Sequence, residues 1–378
     1  MHQFSIIVPV YQDYNIFSMF IDSLLNSIDV KTQIIIVNDH SPANVAKAIN
    51  ELSKRENDKI SIQIINHDFN FGSAQSINEA LTLIDGEIVV LLDSDTILCG
   101  SWQSQLVSTL NSPDIGGVGA ILLYPQTNGV QCSGLVYTYG TGRHLKLNAQ
   151  QEDIENEKYE VQSTIFAFFA TKSDIIKKIG NLDLHYFNGY EDIDYQMRIR
   201  QAGYKIIIDP HLQFYHWEKS NGIHREYNRR SNLGILWKRY GNFIKEDLWE
   251  HIFAQLKKIP LNSSFMGVDI CGSRLDAETF WEQADIRTPG LISEHINYSH
   301  LVKDKMPVWL PEILHYDFFR TRQKLLFLCD NFVQLTQNDY WFRFRQNYSI
   351  GDIIVDLNGN VMPFAKLKNS FWPGNKVR

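Results

Sequence analysis

The first 95 residues alternate between two hydrophobic periods, and that alternation limits the fold more than anything else in the chain. Phe4–Val10, Gln33–Val37, Ile60–Ile65 and Glu87–Leu92 read as strands. Between them, Ile16–Ile28, Asn44–Arg55 and Ser73–Ile84 carry apolar residues at helical spacing. Strands that are apolar on both faces need cover on both sides. The pattern therefore predicts an α/β fold with a mostly parallel central sheet flanked by helices. Sheets of this kind bind ligands beyond the carboxyl ends of their strands, near a switch in strand order. The residues expected on that edge are Pro9-Val10-Tyr11, Asn38-Asp39-His40-Ser41 and Asp93-Ser94-Asp95.

The bulk properties narrow the class. A chain of 378 residues, 44% hydrophobic and 21% charged, has the make-up of a globular protein with room for two domains. Its net charge of −7 argues against a nucleic-acid partner. Four cysteines, far apart and without a Cys-x-x-Cys pair, suggest a reducing compartment. The N-terminus reads as a first strand and not as a signal peptide. No apolar run approaches the roughly 18 residues of a membrane span. The expected location is cytoplasmic, with at most peripheral contact on the inner face of a membrane.

Further along, Ile115–Tyr139 is glycine-rich and strand-like, and Leu145–Tyr159 is polar and acidic, a candidate mobile loop. Residues 163–170 read as a buried strand, and Ser173 as the cap of a helix ending at Ile179. Glu191–Ala202 is a helix closed by Gly203. Tyr204–Ile208 is a strand expected to stop at Asp209-Pro210. A basic helix covers Arg225 to Arg239. Beyond about residue 260 the chain reads as irregular, with a final hairpin over Tyr348–Phe364 turning at Asn358-Gly359-Asn360. The aromatic residues Trp281, Trp309, Phe318, Phe319, Trp341, Phe342, Phe344 and Trp372 suggest a core or an interface there, with a homo-oligomer or partner contact as one use. The expected domains are 1–242 and a C-terminal accessory region, 243–378.

The chemistry starts at Ile88–Asp95, where an apolar strand stops at two acids one residue apart. An acidic turn before a helix cap would account for Asp93 and Asp95. So would a hard divalent cation holding a diphosphate. Neither a Gly-x-Gly-x-x-Gly nor a Gly-x-x-x-x-Gly-Lys segment is present to cradle phosphates, which leaves a metal as the natural substitute. Four more features accompany the pair. They are Asp39 at the second strand end, Asn70-x-Gly72 before a helix, Gly189-Tyr190-Glu191-Asp192-Ile193-Asp194, and Phe214-Tyr215-His216-Trp217.

In order and spacing, from residue 4 to about 240, these features resemble family 2 glycosyltransferases of the GT-A fold. The resemblance rests on Val8–Tyr11, Asn38–Ser41, Asn70-x-Gly72, Asp93-Ser94-Asp95 and Glu191-Asp192. It implies a donor nucleotide site at Pro9, Val10, Tyr11, Asp39, Asn70, Gly72, Asp93 and Ser94. It also implies metal ligation by Asp95 and His216 with Asp93 in the shell, Mn²⁺ or Mg²⁺ as the cofactor, and Asp192 as catalytic base beside Glu191. Asn38-Asp39-His40-Ser41 departs from the family's Asp-Asp-Gly-Ser-like segment, which weakens any inference about the base. The implied activity is inverting transfer of a hexosyl or N-acetylhexosaminyl group from a nucleotide-sugar, a UDP-sugar first. The acceptor would be a glycan, lipid-linked or protein hydroxyl, as in bacterial surface polysaccharide or glycoconjugate synthesis.

Physical requirements run beside the resemblance. The leaving diphosphate must be neutralised, and the acceptor hydroxyl must lose its proton to a placed base. Each residue also has a plainer reading. Glu191-Asp192 would suit a helix N-terminus by about 0.3–1 kcal/mol. His216 would serve as a core histidine, and Arg198 would pair with Asp194 four residues away. Trp102 would stack on an acceptor sugar or simply pack. His224 and Arg225 are reserve contacts to donor or acceptor, on a basic helix that is a solvated face, a flap over the donor or a lipid-facing surface. The competing functions are a non-catalytic sugar-nucleotide or carbohydrate-binding protein and a nucleotidyltransferase.

Overall fold

The structure, a computed structural model, describes residues 2–11, 13–138, 140–217, 223–259, 264–297, 322–331, 345 and 351–366. The chain divides into two compact units. One comprises residues 1–135 and 151–244, the other residues 136–150 and 245–378. The segment 136–150, placed by sequence in the first domain, is grouped with the second unit.

The first unit opens with β1 (Phe4–Val10), α1 (Tyr14–Asn26), β2 (Thr32–Asn38), α2 (Ala43–Asn50), β3 (Ile60–Asn66), α3 (Ser73–Leu81) and β4 (Ile88–Leu92). The helix expected over 44–55 ends at Asn50 and continues as a 3-10 turn over Leu52–Arg55. Then come β5 (Thr96–Ile97), α4 (Gln103–Leu110), β6 (Ile115–Leu123) and β7 (Val130–Cys132); β8 (Leu135–Thr138) and β9 (Thr141–His144), next in the chain, belong apart from Leu135 to the second unit. β10 (Tyr159–Val161), β11 (Phe168–Lys172), α5 (Ser173–Ile179), α6 (Glu191–Gln201), β12 (Lys205–His216) and α7 (Ile223–Tyr240) follow. The sheet order is β10-β12-β6-β11-β4-β1-β2-β3, with β5 on β12 and β7 on β6. β4, β1, β2 and β3 are mutually parallel, as their unbroken apolar sequences require. β11 runs antiparallel between β4 and β6. Among the described residues, no helix is long and apolar enough to cross a membrane.

Trp102 lies in the core of this unit. It is 2% exposed, its Nε1–H donates to Ser27 Oγ at 3.0 Å, and its ring meets Phe4 and Phe168 edge-on at 5.7 and 5.6 Å. Burying an aromatic side chain of this size is worth about 1.5–3 kcal/mol. No ring face is left for a sugar, so the stacking role is replaced by packing.

β12 corrects another expectation. The strand does not stop at Asp209-Pro210 but runs to His216. Proline is tolerated because it falls in a bulge. Asp209 pairs with Ala120 of β6 and Gln213 pairs with Ile121, so the residues between them loop out of the ladder. The buried Asp209 carboxylate stabilises the bulge by accepting from Thr109 Oγ1 at 2.5 Å, Gln105 Nε2 at 2.8 Å and the His211 N–H at 3.0 Å. Burial opposes the charge on Asp209, but these hydrogen bonds outweigh it and hold the pKa below the usual carboxylate value.

The second unit is not irregular. It holds α8 (Leu248–Leu256), β13 (Phe265–Asp269), α9 (Arg274–Arg287), β14 (Ile292–Asn297), β15 (Leu325–Cys329), β16 (Ile353–Asp356) and β17 (Val361–Pro363). Its five strands form a sheet in the order β14-β13-β15-β16-β17, parallel except for the last pair. The β16–β17 hairpin turns through Asn358-Gly359-Asn360, where the sequence placed it. Trp281 is buried in this unit. Trp309, Phe318, Phe319, Trp341, Phe342, Phe344 and Trp372 lie outside the described residues.

Candidate active site

The carboxyl ends of β1, β2 and β4 meet on one edge of the first sheet. Val10 pairs with Asn38, and the next residue, Asp39, sends its N–H to the Val10 carbonyl at 2.9 Å. Ser41 Oγ donates to the same carbonyl at 2.8 Å, so the first two strand ends are tied together. Pro9 and Val10 belong to this junction. Tyr11 lies just beyond it and is 54% exposed, a ring available to a flat ligand.

Asp39 is nearly buried and holds the loop that follows β3. Its carboxylate accepts from the Phe71 and Gly72 N–H groups, each at 2.8 Å, and from His67 Nδ1 at 2.8 Å. Asn70 Nδ2 donates to the Asp39 carbonyl at 3.3 Å. Gly72 has φ 87° and ψ 168°, a region essentially restricted to glycine. An added Cβ would sit 3.1 Å from Asn188 Oδ1. Here the Asn-x-Gly motif serves close backbone approach. A cavity of about 360 Å³ opens between the start of α3 and segment 184–188.

At the end of β4, Asp93 and Asp95 are joined by His216. β12 runs antiparallel to β5, with His216 opposite Thr96, so the last residue of β12 arrives beside the acids. His216 Nε2 lies 3.1 Å from Asp95 Oδ1 and 3.9 Å from Asp93 Oδ2. One ligand atom from each of the three residues falls within 4.8 Å of the others. Asp95 and His216 are buried, Asp93 is more open, and Ser94 is buried between the acids. Two carboxylates and an imidazole form a donor set suited to a divalent cation such as Mn²⁺. The ring is also oriented. His216 Nδ1 donates to Gln131 Oε1 at 2.6 Å, and Gln131 Nε2 donates back to the His216 carbonyl at 3.3 Å. That contact puts the proton on Nδ1 and turns the Nε2 lone pair towards the acids.

Glu191 and Asp192 open α6 after a distorted turn. Asn188 and Tyr190 have φ of 51° and 74°, and Gly189 has φ 144°. Non-glycine residues in this region cost of order 1–3 kcal/mol each and persist only when held. The buried Asn232 of α7 is one holder, with Nδ2 donating to the carbonyls of Gly189 at 2.9 Å and Phe187 at 3.2 Å. The Gly189 N–H donates to Glu191 Oε2 at 2.6 Å. Burial, then the charge of Asp192 and more distantly that of Asp93, pushes the Glu191 carboxyl up to about 7. Asp192 is partly exposed, with Oδ1 accepting from the Ile193 N–H at 2.8 Å.

Arg198 donates to Asp194 at 3.0 Å, the pairing that its spacing predicts. Two residues at the end of the basic helix make structural contacts. Arg239 pairs with Asp183 and Asp194, and the Tyr240 hydroxyl donates to Asp194 at 2.8 Å. The side chains of His224 and Arg225 lie outside the described residues, as do residues 218–222 of the supposed flap. His67, Gln131 and Asn232 belong to no motif in the sequence. His67 had a weak signal, as a polar residue directly beyond a strand end, while Gln131 and Asn232 had none.

Residues 5–180 match the family model described as Glycosyl transferase family 2. The match takes in somewhat less than half of the chain. A pneumococcal glycosyltransferase, GlyG, is 21% identical over 59% of this chain and 74% of its own length. An uncharacterised protein of Sinorhizobium fredii is 24% identical over 66% of this chain, which spans only 28% of that relative. The O-antigen biosynthesis protein RfbC of Myxococcus xanthus is 22% identical over 57% of this chain and 17% of its own length. Among solved structures, a mannosyltransferase from Pyrobaculum calidifontis in complex with GDP-Man and Mn²⁺ superposes with a TM-score of 0.52 at 14% identity. It covers 92% of this chain and 86% of its own. GalNAc-T7 with UDP, GalNAc and Mn²⁺ gives 0.51 at 13% identity, covering 75% of this chain and 55% of its own. The first unit shares the GT-A fold of these neighbours.

Proposed function

We propose that the first unit is a metal-dependent, inverting glycosyltransferase using a nucleoside-diphosphate sugar, with a UDP-hexose or UDP-N-acetylhexosamine as the leading donor. The acceptor would be a hydroxyl on a glycan or lipid-linked saccharide in surface polysaccharide or glycoconjugate synthesis. The carrying observation is the convergence of Asp93, Asp95 and His216 on one edge of the sheet. The nucleotides and Mn²⁺ in the two structural neighbours support the donor class, and the O-antigen relative supports a glycan acceptor.

In this reading Asp95 and His216 hold a divalent metal with Asp93 in its shell, and the metal would neutralise the departing diphosphate. Tyr11 offers a ring to the base, while Asp39, Asn70 and Gly72 shape the nucleoside pocket. An Asp192 carboxylate oxygen takes the proton of the acceptor hydroxyl as the hydroxyl oxygen attacks the anomeric carbon and the bond from that carbon to the departing diphosphate breaks. Glu191 stands beside it as a buried carboxyl that fixes the turn through Gly189. Residues 243–378 act as an accessory region, and a lipid-linked acceptor would bring the protein to a membrane surface.

The test is nucleotide release from UDP-sugars with Mn²⁺ or Mg²⁺. Asp95→Ala should lower it by orders of magnitude, and full activity in that variant would sink the metal role. Asp192→Asn should keep donor binding and abolish transfer. Surviving transfer would place the base elsewhere.

A further inference from the structure

The carboxylate of Asp39 is largely committed to its own chain. Oδ1 accepts from His67 Nδ1 and the Phe71 N–H, both at 2.8 Å, and Oδ2 accepts from the Gly72 N–H at 2.8 Å. A carboxylate offers about two acceptor positions on each oxygen. Oδ1 is therefore filled and Oδ2 keeps one position. His67 decides this count, because without it Oδ1 would also have a position to offer.

His67 is itself locked in place. Its Nε2 lies 3.0 Å from Glu79 Oε2, and Gln75 Nε2 donates to Glu79 Oε1 at 2.7 Å. The Phe71 ring meets the imidazole edge-on at 5.2 Å. With a carboxylate oxygen against each nitrogen, the protonated ring can donate to both, and these hydrogen bonds raise its pKa above the ordinary 6.5. It presents Asp39 with a fixed, charge-assisted donor.

We propose that His67 selects the nucleobase of the donor by restricting Asp39 to a single further hydrogen bond. One acceptor suits uracil, which carries one N–H on its pairing edge. Guanine presents two adjacent donors there, at the ring nitrogen and the exocyclic amine, and would need both oxygens. The inference rests on the proposed donor site, in which Asp39 shapes the nucleoside pocket, and takes the nucleobase as the group that reaches its Oδ2. His67 touches Asp39 and not the donor, so it is a positioning residue.

Calorimetric titration of UDP and GDP in the presence of Mn²⁺ tests this on the full chain, without any acceptor. The wild type should bind UDP about tenfold or more tightly than GDP, the worth of one charge-assisted hydrogen bond. In His67→Ala the ratio should fall towards one. In His67→Asn, which keeps an amide N–H near the Nδ1 position, the ratio should be retained. General destabilisation changes both affinities together, so the ratio isolates the selection. Equal binding by the wild type, an unchanged ratio in His67→Ala, or an equal loss in His67→Asn would overturn the proposal. Failure of the wild type to bind either nucleotide would overturn the donor-site reading, and this inference with it.

Discussion

His216 and Gln131 face each other across β12 and β7, with imidazole Nδ1 2.6 Å from the amide Oε1. A ring nitrogen that donates cannot also ligate a metal, so this one contact decides which nitrogen is offered to the acids. Gln131 is fully buried and has no charge of its own.

Replacing Gln131 with Leu should therefore weaken Mn²⁺ binding by about 10–100-fold, the usual cost of losing the partner of a metal-bound histidine. Calorimetric Mn²⁺ titration of the folded variant reads this directly. Wild-type affinity in Gln131→Leu would show that the ring is held by other contacts.

The turn before Glu191 offers a separate test. Asn232→Ala removes two hydrogen bonds from the carbonyls of Phe187 and Gly189, a loss of about 1–3 kcal/mol in stability. Because those carbonyls lie before and within a run of positive-φ residues, turnover should fall more than donor affinity. Denaturant unfolding measures the first effect. Transfer rate set against donor KM measures the second, and a change in KM alone would dissociate Asn232 from the Glu191-Asp192 turn.

His67 also predicts a pH dependence of stability. Burial works to lower its pKa, but the hydrogen bonds to Asp39 and Glu79 outweigh it and raise the pKa above the ordinary 6.5. A raised folded-state value means that the stabilisation is complete below pH 6.5 and is lost as pH climbs through the folded-state pKa. The stability advantage of the wild type over His67→Ala should shrink across that window. Denaturation midpoints from pH 6 to 9 report it, and a constant difference would mean that the imidazole does not titrate there.

Much of the geometry at the strand ends was legible because it is local. Strands such as Phe4–Val10 announce themselves by composition, and the acids at their ends follow in sequence. Three kinds of information were not local. The contact between Gln131 and His216 spans 85 residues and depends on strand order. The path of β12 past Pro210 depends on a bulge stabilised from α4 by Gln105 and Thr109. The second sheet is built from runs as short as Ile353–Asp356, separated by long aromatic stretches that hide the alternation. Trp102 shows the opposite failure, since an aromatic residue near an acidic motif carries no mark of which way its ring turns.

The looped-out residues of β12 have one more effect. From Asp209 to Gln213 the strand advances four residues while β6 advances one, from Ala120 to Ile121. Side chains alternate between the faces of a sheet, so where pairing resumes after that detour sets which face each later residue takes. Removing one residue between 209 and 213 would either shorten the detour and keep the pairing beyond it, or slip the strand by one residue and turn His216 to the opposite face. The point at which pairing resumes after this short detour works as a phase setting for the far end of the strand.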